Sequence, residues 1–190
     1  MKKLFMPLLA LSLMFAVGCN NAETKDSTEV AEEANEQKAD STNAGKKMED
    51  DHEFMIFAAS GGLMEVELGK LASTNASSAK VKDFGTKMVT DHSKANQELM
   101  VLASQKNISI PSTPGTDHQK HIDDLREKKG AEFDKAYMSM MVMDHEEDVK
   151  KFEEASTDGK DADVKAFAAK TLPVLKQHHA IAKTINDEMK

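Results

Sequence analysis

Residues 72–87, ASTNASSAKVKDFGTK, return without a gap as residues 155–170, ASTDGKDADVKAFAAK, sharing eight of sixteen positions at an offset of 83. Self-similarity at this length is the mark of a duplicated supersecondary unit. Each copy has a polar turn at its middle, around residues 74–77 and 157–160, where Asn75 and Asp158 supply cap or turn chemistry. Both flanks carry helical periodicity, so each copy is the elbow of a helical hairpin. Two hairpins with one apolar face each bury those faces best against one another. That predicts an all-α, up-down-up-down four-helix bundle with both short turns at the same end.

Working outward from the elbows, four helical segments follow. Over residues 53–73, Phe54, Phe57, Ala58, Gly61, Leu68, Leu71 and Ala72 recur at three-and-four spacing, with Glu65 on the same row. Over residues 78–106 the stripe is Val81, Phe84, Met88, Ala95, Leu99 and Leu102, with His92 in its gap. The passage 107–116, NISIPSTPGT, is too irregular for helix, and Pro111 and Pro114 stop it. A third helix is expected to begin between Asp117 and Glu132 and run to Ala155, with Gly130 a break near its start. Phe133, Tyr137, Met141, Val149 and Phe152 form its stripe, and His145 fills the vacant place. The fourth, over residues 161–189, turns Val164, Phe167, Ala168, Leu172, Leu175, Ala182, Ile185 and Met189 inward, with Pro173 predicting a kink.

Composition agrees with helix: aromatics are 5% of the chain, Trp is absent and Met numbers 13. The formal charge is −8 and no Lys/Arg cluster lies within the body, which excludes a nucleic-acid partner. Lys2 and Lys3, the apolar run 4–17 and Gly18 have the layout of an export signal, too short to span a bilayer. Cys19 follows at once, and AVGC resembles the bacterial lipoprotein signal, in which the cysteine becomes the lipid-carrying N-terminus. Loss of the two lysines would take the mature charge to −10. Asn20 after the cysteine points, by the same resemblance, to the outer membrane facing the periplasm. Residues 19–51 are acidic and nearly free of large apolar side chains, which predicts a disordered tether ahead of a domain at 52–190. A single cysteine excludes an intrachain disulfide and any cysteine-cluster metal site.

Counted from the elbows at about 1.5 Å per residue, Gly61, Gly62, the pairs Asp91–His92 and Asp144–His145, and Pro173 fall within about 5 Å of one level. Each has a plain explanation as a satisfied core group or a packing glycine. Gathered at one height, they also suit an internal metal site for iron, copper, zinc or manganese. His92 and His145, with Asp91 or Asp144 behind them, fit best. Glu65 and His178 lie about 4.5 Å off that level in the count, which argues against one compact shell of four. The Glu-x-x-His pattern of di-iron bundles is absent, because Val89, Val142 and Leu175 stand three places before His92, His145 and His178. Met138, Met140, Met141 and Met143 offer a competing copper(I) site, against which pliable core filling is the simpler role. No Gly-x-Ser-x-Gly and no phosphate-cradling loop supports nucleophilic or nucleotide chemistry.

The order EFMIFAASGGLMEVELGKLA, VKDFGTKMVTDH, EFDKAYMSMMVMDH, FAAKTLPVLKQHHA resembles the bacterial family called domain of unknown function 4142, over about residues 52–189. That resemblance implies a ferritin-like fold and an exported or outer-membrane setting, without an assigned activity. By its motifs, Glu65, His92, His145 and His178 are the metal-site positions it carries over. The leading expectation is a lipid-anchored, non-catalytic metal or small-ligand binding module. The alternative is a structural or stress-protective envelope protein whose His/Asp layer is a core hydrogen-bond network. A redox enzyme of unusual di-metal type is the third.

Overall fold

The computed structural model describes residues 25–40 and 48–189. The export signal, Cys19 and the remainder of the expected tether outside those residues lie beyond the description. Among the described residues the chain is all-helical, with six helices and no strand: α1 (Ser27–Asp40), α2 (Glu49–Asn75), α3 (Ala79–Lys106), α4 (Thr116–Arg126), α5 (Gly130–Asp158) and α6 (Ala162–Asp187). None of them is long and apolar enough to cross a membrane. The expected third helix is two, α4 and α5, separated at Lys129 and Gly130, whose φ of 61° suits glycine. Helix α6 runs on through Pro173.

The duplication is visible in the helix bounds themselves. Helices α2 and α5 end at Asn75 and Asp158, and α3 and α6 begin at Ala79 and Ala162, each pair at the offset of 83. Along their lengths α2 packs on α3 and α5 on α6, while α2 also meets α5 and α3 meets α6. The elbows are clamped reciprocally. The Asp134 carboxylate, near the start of α5, accepts from the Ser77 and Ser78 N–H groups at 3.1 and 2.9 Å and from the Ser77 hydroxyl at 2.5 Å. Asp51, its counterpart near the start of α2, accepts from the Lys160 and Asp161 N–H groups at 3.0 and 2.6 Å. Each hairpin thus holds the backbone amides of the other hairpin's turn, just before its second helix, while Asp161 itself caps the first amides of α6.

These clamps correct the predicted topology. The start of α2 lies at the α5–α6 turn and the start of α5 at the α2–α3 turn, so the two short turns sit at opposite ends. Ion pairs agree: Lys80 near the start of α3 meets Glu188 beyond α6, and Lys106 at the end of α3 meets Asp161 before α6, both at 2.6 Å. The four long helices therefore run up, down, down and up, not up-down-up-down. The stretch 107–129 crosses the length of the molecule, with α4 lying against α2. A duplicated hairpin is compatible with a two-fold along or across the helix axes. Only the length of this crossover allows the second.

Residues 27–40 are helical where a disordered tether was expected. The composition argument counted apolar area, and apolar area is not what holds α1. Its Asn35 exchanges two hydrogen bonds with the Ser109 backbone, at 2.9 and 2.7 Å, and Lys38 donates to the Asn107 carbonyl oxygen at 2.9 Å. Asp26 accepts from the Thr28 and Thr116 amides, joining the start of α1 to the crossover; these contacts hold its carboxyl far below its ordinary value.

The apolar core is in two parts. One gathers Met64, Leu68, Val81, Phe84, Phe133 and Met141; the other gathers Phe54, Leu99, Phe152, Val164, Phe167 and Leu175. Between them, at mid-height, lies a layer of buried polar groups. In the first hairpin the helices touch backbone to backbone. A Cβ at Gly69 would lie 2.5 Å from the Gly85 carbonyl oxygen, and one at Gly85 would lie 2.5 Å from the Ala72 Cβ. The close approach expected at Gly61 and Gly62 is instead made at this crossing, although Gly62 does leave room for the Asn96 side chain. Gly85→Ala is expected to destabilise the protein by about 1–3 kcal/mol, the cost of overpacking, read by urea denaturation. An unchanged midpoint would show that the crossing is looser than described.

Candidate metal centre

Four helices each send one side chain into the polar layer: Glu65 from α2, His92 from α3, His145 from α5 and His178 from α6. All four are buried, His145 and His178 completely at 0% exposure. The ring centroids stand 5.7 Å apart for His92 and His145, 5.3 Å for His92 and His178, and 5.4 Å for His145 and His178. One ligating atom from each ring lies within 4.8 Å of the others. The count of helical rise had set Glu65 and His178 apart from this cluster, and the structure brings them in. Rise places Cα atoms, whereas long side chains tilt along the axis and reach across that offset.

Each imidazole is held by one nitrogen. His145 Nδ1 donates to the Met141 carbonyl oxygen at 3.0 Å, the helical i−4 position. His92 Nδ1 lies 2.6 Å from Glu65 Oε2, and His178 Nε2 lies 2.8 Å from Asp91 Oδ2. Because an acceptor faces each of these nitrogens, the proton of each neutral ring sits there. The remaining nitrogens, His92 Nε2, His145 Nε2 and His178 Nδ1, then carry lone pairs. All three are buried without a hydrogen-bond partner among the described residues, as are Glu65 Oε1, Asp144 Oδ2 and the Tyr137 hydroxyl. Glu65 Oε1 lies 3.2 Å from His145 Nε2, about the separation of two donor atoms bound to one ion at 2.0–2.1 Å. An unmet buried polar atom costs about 1–3 kcal/mol, so a layer that leaves His92 Nε2 and His178 Nδ1 without partners is not neutral core filling.

Protonation follows burial. Desolvation pushes the Glu65 carboxyl well above the usual range, opposed by its contact with Asp144, and pushes Asp144 up as well, reinforced by Glu65. Burial drives His92 and His178 down to about 4 and holds His145 well below its usual value, with the neighbouring imidazoles adding to the effect there. The layer therefore holds neutral imidazoles and carboxyls that favour the protonated state. Asp91, half-exposed, is different: burial works against its charge, but Lys87 at 2.9 Å and His178 hold its carboxyl below the usual value.

Of the residues anticipated behind the ligands, Asp91 orients His178 rather than its neighbour His92, and Asp144 faces Glu65 and His145. The methionine alternative is not assembled: Met138 and Met141 are buried in the apolar core and Met143 is 64% exposed. Met141 contributes its carbonyl oxygen instead. Asp148 was missed. It is buried in the same layer, with its carboxyl raised well above the usual range by desolvation and then by Glu65 and Asp144. The signal was available, since Asp148 stands 83 residues after Glu65 and continues the repeat back along α5.

The chain matches the family model described as domain of unknown function (DUF4142) over residues 34–185, and it belongs to that family. No curated protein and no solved structure matches it.

Proposed function

We propose that this member of the DUF4142 family is a lipid-anchored cell-envelope protein whose four long helices make a ferritin-like bundle with one crossover. Within it, His92, His145, His178 and Glu65 hold a single transition-metal ion. The observation that supports this reading is the pattern of three buried rings, each holding one nitrogen against a carboxylate or carbonyl and leaving the other unpartnered, in a cluster where one ligating atom of each ring lies within 4.8 Å of the others. That arrangement is how metal-ligating histidines are oriented in general. A hydrogen-bond network accounts for the three held nitrogens and, through a protonated Glu65 at 3.2 Å, for His145 Nε2, and leaves His92 Nε2 and His178 Nδ1 unexplained.

Imidazole nitrogen with carboxylate oxygen suits zinc, iron, manganese or copper(II), and does not select among them. One ion fits better than two. Both candidate groups, His92–His145–His178 and Glu65–Asp144–His145, need His145, and its Nδ1 is committed to Met141. The Glu-x-x-His pairs of di-iron oxidases are absent, so the centre is read as a binding module and not as a ferroxidase. When bound, the ion would supply a Lewis acid inside an otherwise apolar bundle. The N-terminal Cys19 would tie the module to the outer membrane, facing the periplasm.

Metal titration of the full chain tests the reading. Loading at pH 7 in weak buffer is expected to take up about one ion per chain and to release about one proton, because the ion displaces a proton from the Glu65–Asp144 pair. Protons compete at His92 and His178 only as pH approaches their lowered values, so metal uptake should weaken below pH 7 through the Glu65–Asp144 pair, still be present at about pH 5 and be lost near pH 4. Failure to take up any of the four metals would sink the reading, and release centred near pH 6.5 would show that the rings are not buried as described.

A further inference from the structure

The internal duplication has an image of the metal centre. At the offset of 83, Glu65 corresponds to Asp148, His92 to Leu175, His145 to Gly62 and His178 to Ala95. All four of these counterparts line one small space of about 20 Å³, which Glu65 and His92 also line. Where the centre has three rings, its image has one leucine and two of the smallest residues, so the image is a void with a carboxyl in it. A cleft of about 110 Å³ between α3 and α6 reaches the same place from the surface, and it shares His92, Ala95, Thr171 and Leu175 with the void. One water takes up about 30 Å³ of liquid, so the cleft has room for about three or four.

We infer that the ion of the proposed centre keeps one coordination position open toward the α3–α6 side, where a small anion of two or three atoms binds with its near end in the void beside Ala95 and its far end in the adjoining cleft of about 110 Å³. This rests on the metal reading above. His92 Nε2, buried and unpartnered, belongs to a ring that lines both spaces, so an ion on it borders the void directly. Thr171 lines the void as well, and its hydroxyl is a donor suited to an anion, while the Asn96 side chain lies over Gly62. Lys94 and Lys170 stand at the outer cleft, although Lys170 is paired with Glu98 at 2.7 Å. The ligand class is set by size and charge: hydroxide, peroxide and azide fit, whereas an organic acid or a nucleotide does not.

Azide is the probe. The full chain loaded with copper(II), its metal content measured first, is titrated with azide and followed by absorption. A saturable charge-transfer band at one azide per ion is expected. Ala95→Leu fills the void without replacing a proposed ligand, so it should keep the metal stoichiometry and bind azide at least tenfold more weakly. Should that variant fail to fold by circular dichroism, Thr171→Leu takes its place with the same expectation. An ion bound at one per chain whose spectrum azide leaves unchanged would overturn the open position and leave the centre standing. Unaltered azide binding in the filled variant would likewise overturn it. A chain that takes up no copper would overturn both.

Discussion

His145→Ala should lower the affinity for a transition metal by about a hundredfold or more, equivalent to about 2.8 kcal/mol of binding free energy. His145 is completely buried, and it is the one ring common to both candidate ligand groups. Its loss leaves two imidazoles, on α3 and α6, and removes the ring that joins them to the Glu65–Asp144 group. Competitive titration against a chelator reads the effect. Asp91→Asn is the graded control: it leaves every ligand in place but weakens the hydrogen bond that orients His178, so about a tenfold to hundredfold loss is expected. Were the polar layer only a structural network, both variants would change stability while neither changed metal uptake, and that outcome would refute the centre.

Asp134→Ala is expected to cost about 2–4 kcal/mol of stability, the largest loss outside the centre. The carboxylate accepts two backbone N–H groups and the Ser77 hydroxyl, and hydrogen bonds to a charged group contribute about 1.5–3 kcal/mol each, reduced here because they lie at an end of the molecule. Asp51→Ala should behave alike at the opposite end. The two sites share no partner, so the double variant should lose the sum to within about 0.5 kcal/mol. Equilibrium denaturation in urea measures all three. A loss below about 0.5 kcal/mol in either single variant would mean that the reciprocal clamps do not hold the two hairpins together.

The helical hairpins were legible because the repeat preserves turn chemistry and apolar spacing together: Val81 and Val164, Phe84 and Phe167 keep the same inward face at an offset of 83. The relative direction of the hairpins was not, since nothing in either copy states whether the connection between them returns or crosses. Asp51 and Asp134 carry that information, themselves 83 residues apart, but beside Glu49 and Asp50 in one helix start and just after Glu132 in the other they look like ordinary responses to the helix dipole. The level argument survived its mistaken premise because the site residues lie near the middle of their helices, where height is nearly the same counted from either end. His92 and His145 were legible as polar residues on apolar rows. Glu65 and His178 joined them through side-chain reach, which counting Cα rise does not include. Helix α1 was misread because side-chain to backbone hydrogen bonds, such as those of Asn35 with Ser109, leave no mark in composition.

X-ray absorption at the metal edge of the loaded full chain addresses the three-histidine centre most directly. An inner shell of nitrogen and oxygen at about 2.0–2.1 Å, with the outer-shell scattering of three imidazole rings, is the expected result. Sulfur in the first shell, or oxygen alone with no imidazole signature, would contradict a centre built from His92, His145 and His178.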